Sequence, residues 1–106
     1  MGHVLRKLSL IEYKVKFVSE NPDYSKVREH EMLIVGGKRF VKWAYFKCPC
    51  GCGETVVLPL IKSKGPSWSL KVDRLGRPTL TPSIWKTEGC KSHFYIKKGL
   101  IIWTNY

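Results

Sequence analysis

No apolar run in this sequence approaches the roughly 18–20 residues needed to cross a bilayer as a helix. The opening residues, Met1 to Leu8, carry no long apolar stretch and no cleavage signal of the secretory kind. Both absences lead to the expectation of a cytoplasmic protein with no membrane partner. Repeats and low-complexity tracts are missing, as is any long amphipathic helix. Val4 to Leu10 offers only a weak turn. Acidic residues are scarce: 8 Asp and Glu stand against 19 Lys and Arg, giving a formal net charge of +11. Cysteines number only four. In a reducing compartment they read as metal ligands or catalytic groups rather than as disulfides.

What is present suits one folded domain. The chain has 106 residues, 43% of them hydrophobic, and its four Trp, five Tyr and four Phe supply large buried surfaces. The whole of 1–106 reads as a single domain, with residues 1–12 as a candidate N-terminal arm. The basic residues are dispersed, and the longest adjacent runs are pairs such as Lys97-Lys98. Such a charge raises nucleic acid as a ligand, but it equally fits a solvated surface or an acidic protein partner.

Period-two alternation marks the strands. Tyr13, Val15 and Phe17 alternate with Lys14 and Lys16. Ser19 to Glu31 reads as a loop with one short helical turn, capped by Asp23 or Ser25. Met32-Leu33-Ile34-Val35 forms a strand, Gly36-Gly37 a two-residue hairpin turn, and Arg39 to Phe46 the aromatic return strand. Thr55 to Ile61 is an edge strand, because Pro59 interrupts it. Trp68, Leu70 and Val72 share one strand face. Thr79-Leu80-Thr81 is short, with Pro82 ending or bending it, and His93 to Ile96 pairs with Leu100 to Trp103 in a last hairpin. The fold class expected is mainly β: a compact antiparallel domain with a zinc knuckle and few or no long helices.

Cys48-Pro49-Cys50-Gly51-Cys52-Gly53 carries the strongest chemical signal. Three cysteines two residues apart are too close for easy disulfides among themselves, and the glycines let the backbone curl until the sulfurs converge. Cys90 supplies a fourth thiolate. Cys48, Cys50, Cys52 and Cys90 together suit a closed, tetrahedral, structural Zn²⁺ site. His93, three residues beyond Cys90, is a rival fourth ligand. In that arrangement one cysteine is released, and Cys50 becomes a candidate nucleophile.

A second constellation pairs Ser83 with His93. A serine hydroxyl needs a base within about 2.6–3.2 Å to become a nucleophile, and a metal on Cys90 would hold the nearby His93 rigid. Asp73, Glu54 and Glu88 are candidates to orient the imidazole, and nothing in the sequence selects among them. Ser83 after a proline is equally at home as a turn residue. His30 and His3 have weaker claims. Ser92 would point away from His93 on a strand.

The cysteine segment, Pro66-Ser67-Trp68, the run from Gly76 ending Thr79-Leu80-Thr81-Pro82-Ser83-Ile84, Gly89-Cys90-Lys91-Ser92-His93-Phe94 and Gly99 to Trp103 together resemble a family of small bacterial proteins of unassigned domain type. The resemblance spans roughly residues 30–103. Members of that family resemble accessory proteins of bacterial ubiquitin-like modifiers and their E1- and E2-like enzymes. The resemblance implies a zinc-stabilised serine peptidase that processes or deconjugates a ubiquitin-like protein, with Ser83 and His93 matching the family's Pro-Ser-Ile and Ser-His-Phe elements. The substrate tail would enter as an added strand, with Leu58 to Trp68 as the edge. Two other readings stay open. One is a non-enzymatic adaptor that binds the modifier or its E1- and E2-like enzymes through Trp68 and Trp85. The other is a nucleic-acid-binding module.

Overall fold

The alternating segments pair into two sheets in the computed structural model, which describes residues 8–37, 39–62, 65–86 and 89–104. One sheet has five strands in the spatial order β1 (Leu8–Glu12), β9 (Leu100–Trp103), β8 (His93–Lys97), β7 (Pro78–Trp85) and β6 (Ser69–Val72). The other runs β2 (Lys14–Val18), β3 (Glu31–Gly36), β4 (Val41–Lys47) and β5 (Thr55–Pro59). Among the described residues the only helical element is a 3₁₀ turn at Tyr24–Lys26. Asp23 stands at its cap position without a side-chain capping bond.

The inner faces of the sheets meet in one core. Leu80, Ile84, Phe94, Ile96 and Ile101 from the first sheet join Met32, Ile34, Ala44, Phe46 and Leu58 from the second. Phe46 and Phe94 meet edge to face at 6.4 Å between ring centroids, and Tyr13 meets Phe46 at 5.5 Å. Each such ring pair contributes roughly 0.5–1.5 kcal/mol beyond its burial. β3 is buried on both faces: Leu33 and Val35 pack on the outer side with Val27 and Tyr45. The segment around the 3₁₀ turn covers that side, with Tyr24 edge-on to Tyr45 at 6.1 Å.

Several expectations need correction. The β2–β3 pair is parallel, in an otherwise antiparallel architecture. The β3–β4 connection closes by mutual hydrogen bonds between Gly37 and Phe40, so the turn is longer than Gly36-Gly37 alone. Leu8–Glu12 pairs with β9. The remainder of Val4 to Leu10, like His3, lies outside the described residues. Of the two outcomes expected at Pro82, the strand bends and does not end. β7 runs on to Trp85, and against β8 it advances four positions, from Leu80 to Ile84, while β8 advances two, from Ile96 to Phe94. The bulge accommodates a residue that has no N–H for the ladder.

Gly99 joins the sheets at the β8–β9 turn. Its carbonyl accepts the Tyr13 N–H at 2.7 Å, and a Cβ there would lie 2.7 Å from the Tyr13 carbonyl oxygen. With φ at +81°, this position favours glycine on both counts.

Candidate functional site

β4 delivers the chain into the cysteine cluster. Beyond Lys47 the backbone curls: Cys48 N–H donates to the Glu54 carbonyl at 2.8 Å, and Gly51 N–H to the Cys48 carbonyl at 3.3 Å. Gly51 and Gly53 take φ of +90° and +86°, the freedom their lack of a Cβ provides. Cys90 comes from the other sheet's β7–β8 connection. The four Sγ atoms of Cys48, Cys50, Cys52 and Cys90 all lie within 4.8 Å of one another. Cys48 Sγ is 3.5 Å from Cys50 Sγ and 3.6 Å from Cys90 Sγ. Tetrahedral Zn–S bonds of about 2.3 Å require S···S separations of roughly 3.8 Å, so small adjustments close such a site. The four cysteines could thus hold a metal ion, and the group contains four sulfurs without His93.

The electrostatic environment acts unevenly on this donor set. Lys86 pairs with Glu54, which ties the β4–β5 turn to the residue just after β7, beside the cluster. The Lys86 ammonium is raised first by Glu54 and further by Cys90 and Cys48. Burial pushes the Cys48 thiol up. Burial also opposes ionisation of Cys90, but hydrogen bonds from the Ser92 hydroxyl and N–H bring that thiol down to about 6.

Ser83 and His93 stand on adjacent strands of the five-stranded sheet. Ile84 and Phe94 face the core, so Ser83, Trp85 and His93 project from the opposite face. Ser83 Oγ lies 2.9 Å from His93 Nε2. Trp85, directly across from His93, stacks on the imidazole at 5.3 Å between centroids and 17° between planes. The His93 carbonyl accepts from Thr104 N–H at 3.0 Å and Oγ1 at 3.1 Å. The Trp68 indole N–H donates to the Ser83 carbonyl at 3.2 Å.

One short bridge connects the two constellations. Cys90 Sγ lies 3.2 Å from Ser92 Oγ, and Ser92 immediately precedes His93. The Ser92 hydroxyl thus reaches the sulfur cluster while the His93 ring reaches Ser83.

The other candidates fare differently. Asp73 sits in the β6–β7 turn, at the opposite end of β7 from Ser83, and is engaged by Arg77 Nε at 2.7 Å. Glu54 is paired with Lys86, and Glu88 lies outside the described residues. His30 occupies a turn with φ of +68°. Trp68 is half-buried against the core, whereas Trp85 is 64% exposed. The segment from Leu58 to Trp68 starts in β5, at the edge of the sheet that does not carry Ser83. Two relationships escaped the sequence reading: the Trp68–Ser83 hydrogen bond and the Glu54–Lys86 pair. Neither leaves a periodic or spacing signal.

A serine hydroxyl within reach of an imidazole can be deprotonated as it attacks a carbonyl carbon. That is the chemistry this arrangement can perform. Comparison with known families gives a match over residues 17–104 to the model described as bacterial ubiquitination-like system serine protease (BubE). No curated protein and no solved structure matches the chain.

Proposed function

The chain belongs to the BubE family of bacterial ubiquitination-like system serine proteases, and from that membership we propose that it is a zinc-stabilised serine peptidase that processes or deconjugates a ubiquitin-like protein. The 2.9 Å contact between Ser83 Oγ and His93 Nε2 carries the reading.

Ser83 Oγ attacks the scissile carbonyl carbon while His93 Nε2 takes its proton. The tetrahedral intermediate collapses, the C–N bond breaks, and His93 returns the proton to the leaving amine. Water, deprotonated by the same imidazole, then hydrolyses the acyl-serine and regenerates Ser83. Trp85 limits the tilt of the imidazole by stacking, and Trp68 anchors the main chain of Ser83.

Cys48, Cys50, Cys52 and Cys90 would hold Zn²⁺ as a structural ion. The ion would supply a cross-link between the β4–β5 turn and the loop that presents His93. Because the imidazole is spoken for by Ser83, the four-sulfur set is favoured over one containing His93, and Ser83 over Cys50 as nucleophile.

The test is a cleavage assay on the ubiquitin-like protein of the same bacterial system, carrying its C-terminal extension, with product masses measured. A defined cut, lost in Ser83→Ala and His93→Ala variants that still bind zinc, is expected. Binding without a cut would replace the peptidase by an adaptor. Full activity in Ser83→Ala would move the nucleophile to a cysteine.

A further inference from the structure

The hydrogen-bond pattern around Ser83 leaves one strand edge open, and its direction can be worked out residue by residue. In an antiparallel pair, main-chain groups alternate between facing the partner strand and facing away. Lys86 N–H donates to the Ser92 carbonyl at 2.8 Å, so Lys86 faces β8. The Ile84–Phe94 pair, two positions back, faces β8 in the same way. Trp85 lies between them and therefore turns its N–H and C=O away from β8. His93 agrees independently: its carbonyl points to Thr104, on the β9 side, and not to Trp85.

On that other side β7 should meet β6, but β6 is too short. Its pairing with β7 runs from Val72–Pro78 to Ser69–Thr81 and stops there. The preceding Trp68 gives its N–H to the Pro59 carbonyl, so the chain has left β7 for the other sheet. Among the described residues no strand pairs with Trp85 on that side. Ser83, two residues earlier, has its carbonyl already taken by the Trp68 indole. The free edge therefore begins just past the serine.

We propose that the open edge of β7 at Trp85 is the substrate-docking strand: an extended peptide segment adds there, bonded to the Trp85 N–H and C=O, and is thereby carried past Ser83. This inference rests on the peptidase reading for its purpose, although not for its geometry. Strand addition supplies main-chain hydrogen bonds for affinity and alternating side-chain positions for selectivity. The substrate residue opposite Trp85 projects on the same face as the indole, with Cβ atoms about 4.5–5.5 Å apart. With 64% of its surface exposed, the ring offers an apolar wall to that residue. The docked segment accordingly carries an apolar side chain at that position. Trp85 is a positioning and selectivity residue in this scheme, and the peptide continues from it toward the Ser83 hydroxyl, the edge itself being closed at Ser83 by the Trp68 indole.

Backbone and side-chain contributions can be tested separately. The probe is a short synthetic peptide copying the C-terminal segment of the ubiquitin-like protein, N-methylated at one amide at a time. Binding to the Ser83→Ala variant is measured by calorimetry. Methylating the one amide that donates to the Trp85 carbonyl should weaken binding about tenfold, and methylating the amides on either side should not, giving a single sensitive position. Trp85→Ala should weaken binding while the same amide stays the sensitive one, because the main-chain contact remains. A flat scan, several equally sensitive amides, or no binding overturns the proposal. If wild-type protein cleaves the modifier but the scan is flat, the docking strand is wrong and the peptidase reading stands. If the single sensitive amide appears and the wild type cleaves nothing, the docking strand stands and the peptidase reading fails.

Discussion

The indole N–H of Trp68 donates to the main-chain carbonyl of Ser83 at 3.2 Å, so the residue just before β6 fixes the backbone of the candidate nucleophile on β7. The contact ties a half-buried core residue to the outer face of the sheet. Trp68→Phe keeps the ring in the core and removes the donor. A neutral hydrogen bond is worth about 0.5–1.5 kcal/mol, which sets the expected loss in kcat/KM at about two- to tenfold. A loss of that size also lowers the melting temperature, by roughly 4–8 °C per kcal/mol in a domain of about this length. Steady-state kinetics beside a thermal melt check this, and unchanged kinetics would make the bond structural only.

Metal content gives a second prediction. One zinc per chain is expected by elemental mass spectrometry, lost on chelation together with a large fall in melting temperature. Structural zinc contributes about 10–16 kcal/mol apparent in small peptides, comparable to or above the roughly 5–15 kcal/mol total stability of a domain. A chelated chain that melts unchanged and had no metal to lose would remove zinc from the account.

Gly99→Ala should destabilise the fold without touching the cysteine cluster. The new methyl would sit 2.7 Å from the Tyr13 carbonyl oxygen at a φ of +81°. Strain at such a position costs about 1–3 kcal/mol, and the backbone clash adds to it. Denaturant unfolding measures the loss, with zinc content as the control. An alanine variant as stable as the parent would contradict the close approach of Tyr13 and Gly99.

Asp73 gives a pH signature. Hydrogen bonds from the Arg77 and Leu75 main-chain N–H groups and the Arg77 guanidinium hold its carboxyl below the usual range. A carboxylate lowered on folding stabilises the native state above its unfolded value, near pH 4, and the stabilisation disappears as pH falls through the native value. Asp73→Asn should therefore be less stable than the parent at neutral pH, with the gap closing in acid. Unfolding curves across that range test the sign. A gap that widened in acid would reverse the assignment.

Much of the fold was legible from side-chain periodicity. Tyr13, Val15 and Phe17 pointed to β2, Met32 to Val35 to β3, and Pro59 to an edge strand, because alternation and a missing donor are local properties. The cysteine cluster was legible too, since glycines beside closely spaced thiols leave few other uses for them. Pro82 left two outcomes open, an end or a bend, and the bulge against β8 decided for the bend, with β7 continuing past it. The parallel pairing of β2 with β3 was hidden for a related reason. It depends on which side of a central strand a distant segment returns to, and no spacing along the chain records that.

The sequence by itself determined which residue types were available: four thiols, a serine after a proline, a histidine three residues beyond the last cysteine, and alternating apolar side chains for two sheets. Tertiary structure alone decided their company. It set Ser83 Oγ 2.9 Å from His93 Nε2, left Asp73 with Arg77 and Glu54 with Lys86, and opened the edge at Trp85 by stopping β6 short. The physical reason is that propensity and periodicity act within a few neighbouring residues. Which side chains meet is fixed by strand register and by the packing of two sheets around a shared core, and those contacts join positions far apart in the chain.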